Sequence, residues 1–362
     1  MEKSKDIHGF DYNELFDLAI KKPEFAQLYL TNNCVQNCFF CFNGCNVKYG
    51  FPDLGLDSRK HIIKKLVELG VTGVNLSGGE VFLYKNIDEL ISFIKDAGIE
   101  RITINTTGLI DITKYNFSCF DEVVFSIHGT PDIHNATTGR KGNYEMAMKN
   151  YKKFKEKKNA STIVGINTVI TEKSIRQIDS IYANHKKLGS DYIAFNLEIN
   201  RDNIQDLNPE TVNIVDNYFK FINSIPLDKI KFRHGMKHLI GKRINDYEEK
   251  IPLPDCAAGK FKLVVNYKGD VYPCVYFQNN EFYCGNLLKD DIFEIWSDGK
   301  GFKKFRDLIY SGTDKGCVNC IKRYKCFSGC LAWRFYNLKT GNYEKDIRCG
   351  IGSSFIGNGS DI

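Results

Sequence analysis

Four cysteines lie within twelve positions in the segment TNNCVQNCFFCFNGC, directly after a hydrophobic run: Cys34, Cys38, Cys41 and Cys45. The first three form a C-x3-C-x2-C pattern. Cysteine thiolates are the usual protein ligands of iron–sulfur clusters, and a cubane ordinarily takes four of them. Three local ligands therefore predict one iron without a protein thiolate, and an open coordination position is typical of a catalytic metal site. A zinc site is the alternative interpretation of the triad.

A second set of cysteines lies in the last third of the chain and is spaced more widely. It reads C-x12-G-x4-C, then C-x2-C-x5-C-x3-C, and then one further cysteine: Cys256, Cys274, Cys317, Cys320, Cys326, Cys330 and Cys349. The C-x2-C pair also suits zinc, so a pair of zinc knuckles competes with an iron–sulfur interpretation. Cys119 lies outside both patterns, and we expect it in the core.

The bulk composition excludes several classes of protein. The 362 residues are 43% hydrophobic and 26% charged, as in ordinary globular domains, and the formal net charge is +6. No run reaches the roughly 18 apolar residues of a membrane span, and the N-terminus does not resemble a signal peptide. We therefore expect a cytoplasmic protein without disulfides, and no membrane partner. The lysine-rich run at 152–158 is interpreted as a solvated helix face, and no nucleic-acid partner is expected.

The elements that must position the cysteines alternate between short β-branched runs and longer helical patterns. The predicted strands cover residues 25–30, 73–78, 101–108, 123–129, 162–171 and 192–199. The predicted helices cover residues 58–70 (with Ser58 as N-cap), 87–98, 144–158, 174–189 and 209–225. This alternation predicts an α/β fold, an open, partial (β/α)6 TIM-type barrel, in which the chemistry gathers at the C-terminal ends of the strands.

The predicted domain organisation follows the change in composition along the chain. A barrel over residues 25–225 comes after an N-terminal extension, 1–24, and before a basic bridging segment, 226–255. A small domain rich in cysteine, glycine and aromatic residues covers 256–349, and a tail covers 350–362. This small domain has little apolar periodicity, so we expect bound metal to supply much of its stability.

The first cysteine cluster resembles the motif of the radical S-adenosylmethionine (SAM) enzymes. In that family a C-x3-C-x-aromatic-C pattern follows the first strand, here Cys34, Cys38, Phe40 and Cys41. The resemblance implies a 4Fe-4S cluster whose open iron is chelated by SAM. The sequence Ser77-Gly78-Gly79-Glu80 is similar to the motif that holds the SAM amino group. Two glycines would let backbone approach the ligand, and Glu80 would offer a negative charge to the ammonium.

Other SAM contacts follow from the resemblance position by position. Residues at places where the family contacts the ribose or carboxylate are Asn105, Thr107, Ser126 and Asn167. Related sulfatase maturases have an arginine where this chain has Thr138, and the nearest arginine is Arg140. The catalytic residue is not identified, although His128 is a weak candidate for proton transfer. Each of these side chains could instead satisfy backbone groups at a strand end or within a loop.

The second cysteine set resembles the SPASM extension of the same superfamily, which implies two auxiliary 4Fe-4S clusters. By this resemblance the outer cluster is ligated by Cys317, Cys320, Cys326 and Cys349. The inner cluster takes Cys256, Cys274 and Cys330. Either Cys284 completes the inner set, or one iron stays open for a substrate group or water. Cys45 has no role in the family pattern and is interpreted as a small buried hydrophobe.

The resemblance implies that SAM is cleaved to a 5′-deoxyadenosyl radical, which removes a hydrogen atom from the substrate. We expect oxidative modification of a peptide or protein side chain, as in maturases of ribosomal peptides that form thioether or carbon–carbon links. A small-molecule or tetrapyrrole oxidase is the runner-up. A sulfatase-maturase relative is less favoured, because Val275 follows Cys274 where those enzymes have an aspartate. A zinc-binding or electron-carrying protein is the non-enzymatic alternative.

Two protein partners are expected besides the substrate. An external low-potential donor of the flavodoxin or ferredoxin type would supply the electron. Only about 24 residues precede the first predicted strand, fewer than a leader-recognition domain needs. Leader recognition would therefore use a separate leader-binding protein or the barrel itself.

Overall fold

The computed structural model describes residues 23–45, 52–199, 256–310 and 329–336, with short pieces at 217–218, 220–221, 224 and 230–232. The chain divides into two compact units. The first combines Met1–Ile166 with Ala257–Arg306, and the second combines Asn167–Cys256 with Asp307–Ile362. The predicted domain boundaries follow composition, whereas these units follow spatial contact.

The first unit begins with parallel strands that alternate with helices. Its elements up to the division are β1 (Phe25–Thr31), α1 (Leu56–Glu68), β2 (Gly73–Gly78), α2 (Ile87–Asp96), β3 (Arg101–Thr106), β4 (Glu122–Ser126), α3 (Pro131–Thr138), α4 (Asn143–Lys157) and the start of β5 (Ile163–Ile170). Strands β1 to β4 pair in chain order, each parallel to the next. This is the βαβ arrangement that the alternating sequence predicts.

The two faces of the β1–β4 sheet differ sharply in chemistry. One face is apolar, and none of its side chains is more than 2% exposed: Ala26, Leu28, Leu30, Val74, Leu76, Ile102, Ile104, Val123 and Phe125. It packs on the helices, as the contact between the rings of Phe125 and Tyr151 of α4 shows (5.1 Å between centroids). Register places Gln27 beside Asn75 and Asn75 beside Thr103 on the opposite face. That polar face is therefore the interior of the partial barrel.

The C-terminal part of the first unit extends the same sheet. Its elements are β8 (Lys262–Val265), β9 (Asp270–Tyr272), β10 (Gly285–Asn286), α7 (Ile292–Asp298) and α8 (Lys300–Tyr310), of which α8 continues past the division. Strand β8 pairs in parallel with β1, and the antiparallel strands β9 and β10 follow outwards. Strand β1 therefore lies between β2 and β8, although β8 comes far later in the chain.

The second unit contains the end of β5, then α5 (Glu172–Ile175), α6 (Ile178–Lys187), β6 (Tyr192–Leu197), β7 (Ile230–Phe232) and α9 (Leu331–Tyr336). Strand β7 pairs in parallel with β6. It falls inside 226–255, which the sequence analysis treats as a connecting segment. Most of the predicted helix over 209–225 lies outside the described residues.

Two helix predictions are wrong in detail. Helix α1 begins two residues before the predicted cap, because Gly55 is its N-cap and accepts the first hydrogen bond, from Arg59 N (3.1 Å). The single helix predicted over 174–189 is two helices, α5 and α6. A capping box between Thr171 and Ser174 begins α5 two residues earlier than predicted. The helix is interrupted at Arg176–Gln177, and α6 begins after them.

Within the described residues, no helix combines the length and apolarity needed to cross a bilayer.

Candidate cluster-binding site

The three cysteines of the triad share the loop that follows β1. Cys34, Cys38 and Cys41 are each partly buried. Two backbone hydrogen bonds between residues three apart shape the loop, from Cys41 N to Cys38 O and from Gly44 N to Cys41 O (3.1 Å each). The buried Gln36 accepts a hydrogen bond from Cys38 Sγ at its Oε1 (3.3 Å). The loop is therefore ordered by contacts among its own residues and presents three thiols from one short segment.

The Gly-Gly turn after β2 lies directly against this loop. Gly79 N donates to Thr31 O (2.9 Å), and Glu80 N donates to Asn33 O (2.8 Å). A side chain on Gly79 would overlap Asn33 O and contact Cys34 Cβ (3.1 Å), and one on Gly78 would overlap Thr31 O. Gly78 also has a φ of +137°, a region that favours glycine. The two glycines thus let the turn approach the cysteine loop, in addition to any approach to a ligand.

Glu80 is completely buried and binds the end of β3. Its carboxylate accepts hydrogen bonds from Thr106 Oγ1 (3.0 Å), from Thr107 N (2.8 Å) and from Thr107 Oγ1. Burial raises the pKa of the Glu80 carboxyl, and these donors act in the opposite direction. Thr106 is a partner of Glu80 that the sequence analysis missed, although its position in Asn-Thr-Thr-Gly at the end of a strand was a usable signal.

The thiols of the triad affect one another. Burial raises the pKa of the Cys34 thiol to about 12, and it raises the pKa of Cys38 further, with Cys34 and Cys41 adding to the effect. A hydrogen bond from Cys45 lowers the pKa of Cys41 to about 6, and the same bond raises the pKa of Cys45. Cys45 is 3% exposed, and its Sγ lies 3.0 Å from Asn32 Oδ1. Cys45 is thus buried, but it also has polar contacts.

A third segment, the C-terminal end of α3, borders the loop from another side. Asn37 N donates to Thr138 O (3.1 Å), and a side chain on Gly139 would lie 2.9 Å from Asn37 O. Thr138 is completely buried, and its hydroxyl donates to His134 O (2.8 Å). Arg140 is exposed at the protein surface. Backbone contacts therefore bring this segment to the cysteine loop, while the Thr138 hydroxyl binds His134 O within α3 and accepts a hydrogen bond from Asn143 Nδ2 of α4 (2.9 Å).

His128 lies behind the triad, just past β4. Its ring meets the edge of Phe40 (4.8 Å between centroids) and stacks with His134 of α3 (5.7 Å, 13° between planes). His128 N donates to His134 Nδ1 (3.1 Å). Burial lowers the pKa of His134 to about 4, so this ring stays neutral as an acceptor. The two histidines link the loop after β4 to the aromatic residue of the cysteine motif.

The remaining predicted SAM contacts lie at strand ends. Asn105, near the end of β3, donates from Nδ2 to Asn75 Oδ1 of β2 (2.8 Å). Ser126 ends β4 and is partly exposed. Asn167 lies on β5 in the second unit, where its Oδ1 accepts a hydrogen bond from Asn196 Nδ2. Asn105 and Ser126 share the polar face of the β1–β4 sheet.

The second cysteine set is described only in part. Cys274 lies in the first unit and is partly buried, while Cys256 and Cys330 lie in the second. The predicted outer ligands all lie outside the described residues: Cys317, Cys320, Cys326 and Cys349.

Cys284 is enclosed by backbone at the junction of α7 and α8. Its thiol is 3.4 Å from Phe282 O, and a side chain on Gly301 would come within 2.9 Å of its sulfur. Burial raises the pKa of the Cys284 thiol. Cys119 is partly buried, next to the buried Phe120.

The donor set around the triad fits an iron–sulfur cluster. Three partly buried thiols come from one loop, and the Gly78–Gly79 turn of the second motif lies directly against that loop. Among the described residues, no three cysteine, histidine or carboxylate side chains converge as they would around one metal ion. A cubane does not need such convergence, because its cysteines bind separate irons.

Two family models match the chain. Residues 28–182 match the radical SAM superfamily, and residues 256–321 match SPASM, an iron-sulfur cluster-binding domain. The first range holds the cysteine triad and the Ser77–Glu80 turn. The predicted fold class and both resemblances are confirmed by these matches.

Individual proteins resemble the chain over most of its length. The mycofactocin maturase MftC of Mycolicibacterium smegmatis is 25% identical over 339 residues, which cover 89% of this chain and 82% of that protein. The AdoMet-dependent heme synthase of Methanosarcina barkeri is 23% identical over 347 residues, covering 90% and 96%. The solved structure of native anSMEcpe with bound AdoMet and Kp18Cys peptide has a TM-score of 0.68 at 18% identity, covering 90% and 94%, and shows the same fold.

Proposed function

We propose, from the premise that this chain is a radical SAM enzyme with a C-terminal SPASM domain, that it oxidatively modifies a side chain of a peptide. Formation of a cross-link or thioether in a ribosomally made peptide is the favoured reaction. The observation that carries the proposal is the direct contact between the cysteine loop and the Gly78–Gly79 turn, since it joins the two family motifs in one site. The maturase relative supports the peptide class.

Different residues of the site would hold the cluster and SAM. Cys34, Cys38 and Cys41 would ligate the first 4Fe-4S cluster, and the Ser77–Glu80 turn would receive SAM. Bound together, a reduced cluster and SAM would supply the radical chemistry that removes a hydrogen atom from the substrate. Glu80 keeps the end of β3 against the turn through Thr106 and Thr107. The barrel interior orients the substrate C–H bond and excludes water.

The polar face of the β1–β4 sheet supports a peptide substrate. It carries the carboxamides of Asn75 and Asn105, groups that complement backbone amides. The basic side chains on this face, within the described strands β1–β4 and β8, already bind polar partners. Arg101 pairs with Glu122 (2.6 Å), and Lys262 donates to Gln27 Oε1 (2.6 Å).

A tetrapyrrole oxidase is the second candidate, because the heme synthase resembles this chain over nearly its full length. A tetrapyrrole carries several carboxylates, and basic side chains that do not already pair with another group would bind it best. The polar face instead offers amides and hydroxyls, which is why the peptide is preferred.

The proposal includes partners and a compartment. A low-potential flavodoxin or ferredoxin would reduce the first cluster, and a separate protein could bind the leader of the precursor peptide. Free thiols and reduced clusters suit the reducing cytoplasm.

The test is anaerobic turnover by the full-length protein with all clusters assembled. Protein, SAM and reductant are incubated with candidate precursor peptides or with tetrapyrroles, and 5′-deoxyadenosine and product masses are measured. We expect 5′-deoxyadenosine to depend on a peptide that loses two hydrogens. Turnover with tetrapyrrole alone would favour the second candidate.

Iron analysis separates the enzyme from a zinc-binding or electron-carrying protein. Three cubanes predict about twelve irons per chain, and fewer than about eight would contradict the three-cluster proposal. A fully loaded protein that never cleaves SAM would contradict the proposed activity itself.

The role of Cys284 is tested separately. Its enclosure by Gly299, Gly301 and Phe282 favours an inner cluster without it, with one iron open to substrate or water. Cys284→Ala should then leave the spectrum of the inner cluster unchanged. Loss of that spectrum would assign Cys284 as the fourth ligand.

A further inference from the structure

Gln36 places a buried carboxamide between two predicted ligands of the first cluster. It follows Cys34 and precedes Cys38 in the cysteine loop, and it is 2% exposed, whereas the next residue, Asn37, is exposed. Burial of a carboxamide costs free energy unless both of its ends find hydrogen-bond partners. The position of Gln36 therefore requires partners inside the loop.

Gln36 forms hydrogen bonds with the sulfurs of both neighbouring cysteines. Its backbone N donates to Cys34 Sγ (3.5 Å), and its side-chain Oε1 accepts from Cys38 Sγ (3.3 Å). The other end of the carboxamide, Nε2, is buried and has no hydrogen-bond partner among the described residues. A buried N–H group without an acceptor is costly. One carboxamide thus binds a predicted ligand through its oxygen and holds an unused donor on the same carbon.

The contact with Cys38 has to change when this cysteine ligates iron. Cysteine binds metal as the thiolate, which has no hydrogen to donate, so Gln36 Oε1 would then face a second acceptor. A half-turn about the last side-chain bond exchanges Oε1 and Nε2, and this torsion is roughly two-fold. The half-turn replaces two facing acceptors by an N–H···S hydrogen bond, and it removes the oxygen from the sulfur. The unused donor of the metal-free loop is then paired.

We propose that Gln36 is a positioning residue for the first 4Fe-4S cluster, whose side-chain Nε2 donates a hydrogen bond to the Cys38 thiolate. The inference rests on the proposed function in taking Cys38 as a cluster ligand. Hydrogen bonds to the sulfurs help to set the reduction potential of an iron–sulfur cluster. Reduction adds one negative charge, and a donor stabilises the more negative state, so Gln36 makes the first cluster easier to reduce.

The experiment removes the carboxamide and keeps the length of the side chain. Full-length wild type and Gln36→Met are assembled with iron and sulfide, and their clusters are titrated by electron paramagnetic resonance at controlled potentials. The signal that is absent from Cys38→Ser identifies the first cluster. In Gln36→Met we expect an about tenfold smaller ratio of reduced to oxidised first cluster at a given potential, a fall of about 59 mV in its midpoint. The midpoints of the auxiliary clusters should not change.

Gln278→Met is the matched control for loosening of the loop. Gln278 also binds the cysteine loop through its carboxamide, but its Nε2 donates to Asn43 Oδ1 (3.1 Å) and not to a sulfur. The backbone donor from Gln36 N to Cys34 Sγ is present in both variants. We therefore expect the first-cluster midpoint of Gln278→Met to equal that of wild type.

Three outcomes overturn the proposal. These are an unchanged midpoint in Gln36→Met, an equal fall in Gln278→Met, and a wild-type protein that assembles no cluster in the first loop. If Gln36→Met loads less iron, the midpoint of the clusters that do assemble still decides, because the titration reports only loaded sites, and Gln36→Leu should show the same fall. No peptide or SAM is present in the titration. A shifted midpoint in a protein that modifies no peptide would therefore count against the proposed function alone.

Discussion

The first cysteine loop takes its three predicted ligands from eight consecutive residues, whereas the predicted auxiliary ligands extend from Cys256 to Cys349. In the first region the sequence alone brings the thiols together, and a glycine turn fixes the loop from outside. In the second region, ligands distant in the chain must be assembled by the fold and by iron itself. We therefore expect the first site to fail through single local changes, and the second to fail through loss of metal.

The largest expected effect comes from removing a predicted ligand of the first loop. Cys38→Ser should lower 5′-deoxyadenosine formation by about a thousandfold or more, equivalent to at least about 4 kcal/mol of transition-state stabilisation. Iron content should fall by about four atoms per chain, with the auxiliary signals retained. Iron analysis and turnover assays measure both effects. Cys119→Ser serves as the control. Loss of all three clusters in Cys38→Ser would contradict the proposal that the two regions bind their clusters independently.

The converse change removes a predicted ligand of the inner auxiliary cluster. In Cys274→Ser the first loop is intact, so SAM cleavage should stay within about tenfold of wild type while modified peptide falls about a hundredfold, a difference of roughly 1.4 kcal/mol or more between the two steps. Product and 5′-deoxyadenosine are measured in the same reaction. Equal losses of both would mean that the auxiliary region also supports the first site.

A smaller effect tests the glycine turn. Gly79→Ala places a methyl group on Asn33 O, and overpacking of this kind costs about 1–3 kcal/mol. We expect a lower melting temperature and weaker SAM binding, measured by thermal unfolding and isothermal titration. Gly55→Ala is the matched control, because nothing lies within 4 Å of the added methyl and the φ of −61° suits alanine. If the two variants had the same melting temperature and SAM affinity, the close packing of the turn on the loop would not contribute to stability or to SAM binding.

The smallest effect concerns His134, which stacks with His128, the residue that contacts Phe40. The pKa of His134 falls from 6.5 to about 4 on folding, so the unfolded chain binds a proton first as the pH decreases. Stability present above pH 6.5 is therefore lost towards pH 4, by about 1 kcal/mol between pH 7.5 and 5.5. His134→Asn keeps an acceptor for His128 N and removes the titration. Urea unfolding followed by circular dichroism should show this pH-dependent loss in wild type only.

The sequence predicted the elements that carry the first site well, because strand periodicity and motif coincide there. Strand β2 has its predicted bounds, and β1, β3 and β4 differ only at their ends. Helix α3 was missed because its eight residues have no clear apolar periodicity. The motif predicts Glu80 as a SAM contact, which stays a prediction, and it gave no sign that the carboxylate would bind the end of β3.

Contacts between segments distant in the chain could not be predicted. No local pattern indicates that β8 pairs with β1, or that Tyr276 and Gln278 contact Phe42 and Asn43. Tyr29 appeared as one apolar residue of a strand, and its packing against Val264 and Tyr272 depends on that pairing. Local spacing thus identified candidate ligands, but the packing around them arises from tertiary structure.

The position of β1 between β2 and β8 has a consequence for biosynthesis. Phe25 pairs with Lys262, so one edge of β1 lacks its neighbour until more than two hundred further residues have left the ribosome. Strand pairings over such a separation form late and leave an edge open to wrong partners. The strand that leads into the first cysteine loop is therefore among the first segments synthesised and among the last to be completed. Iron delivered to the nascent chain too early would reach the first cysteine loop before β1 has paired with β8.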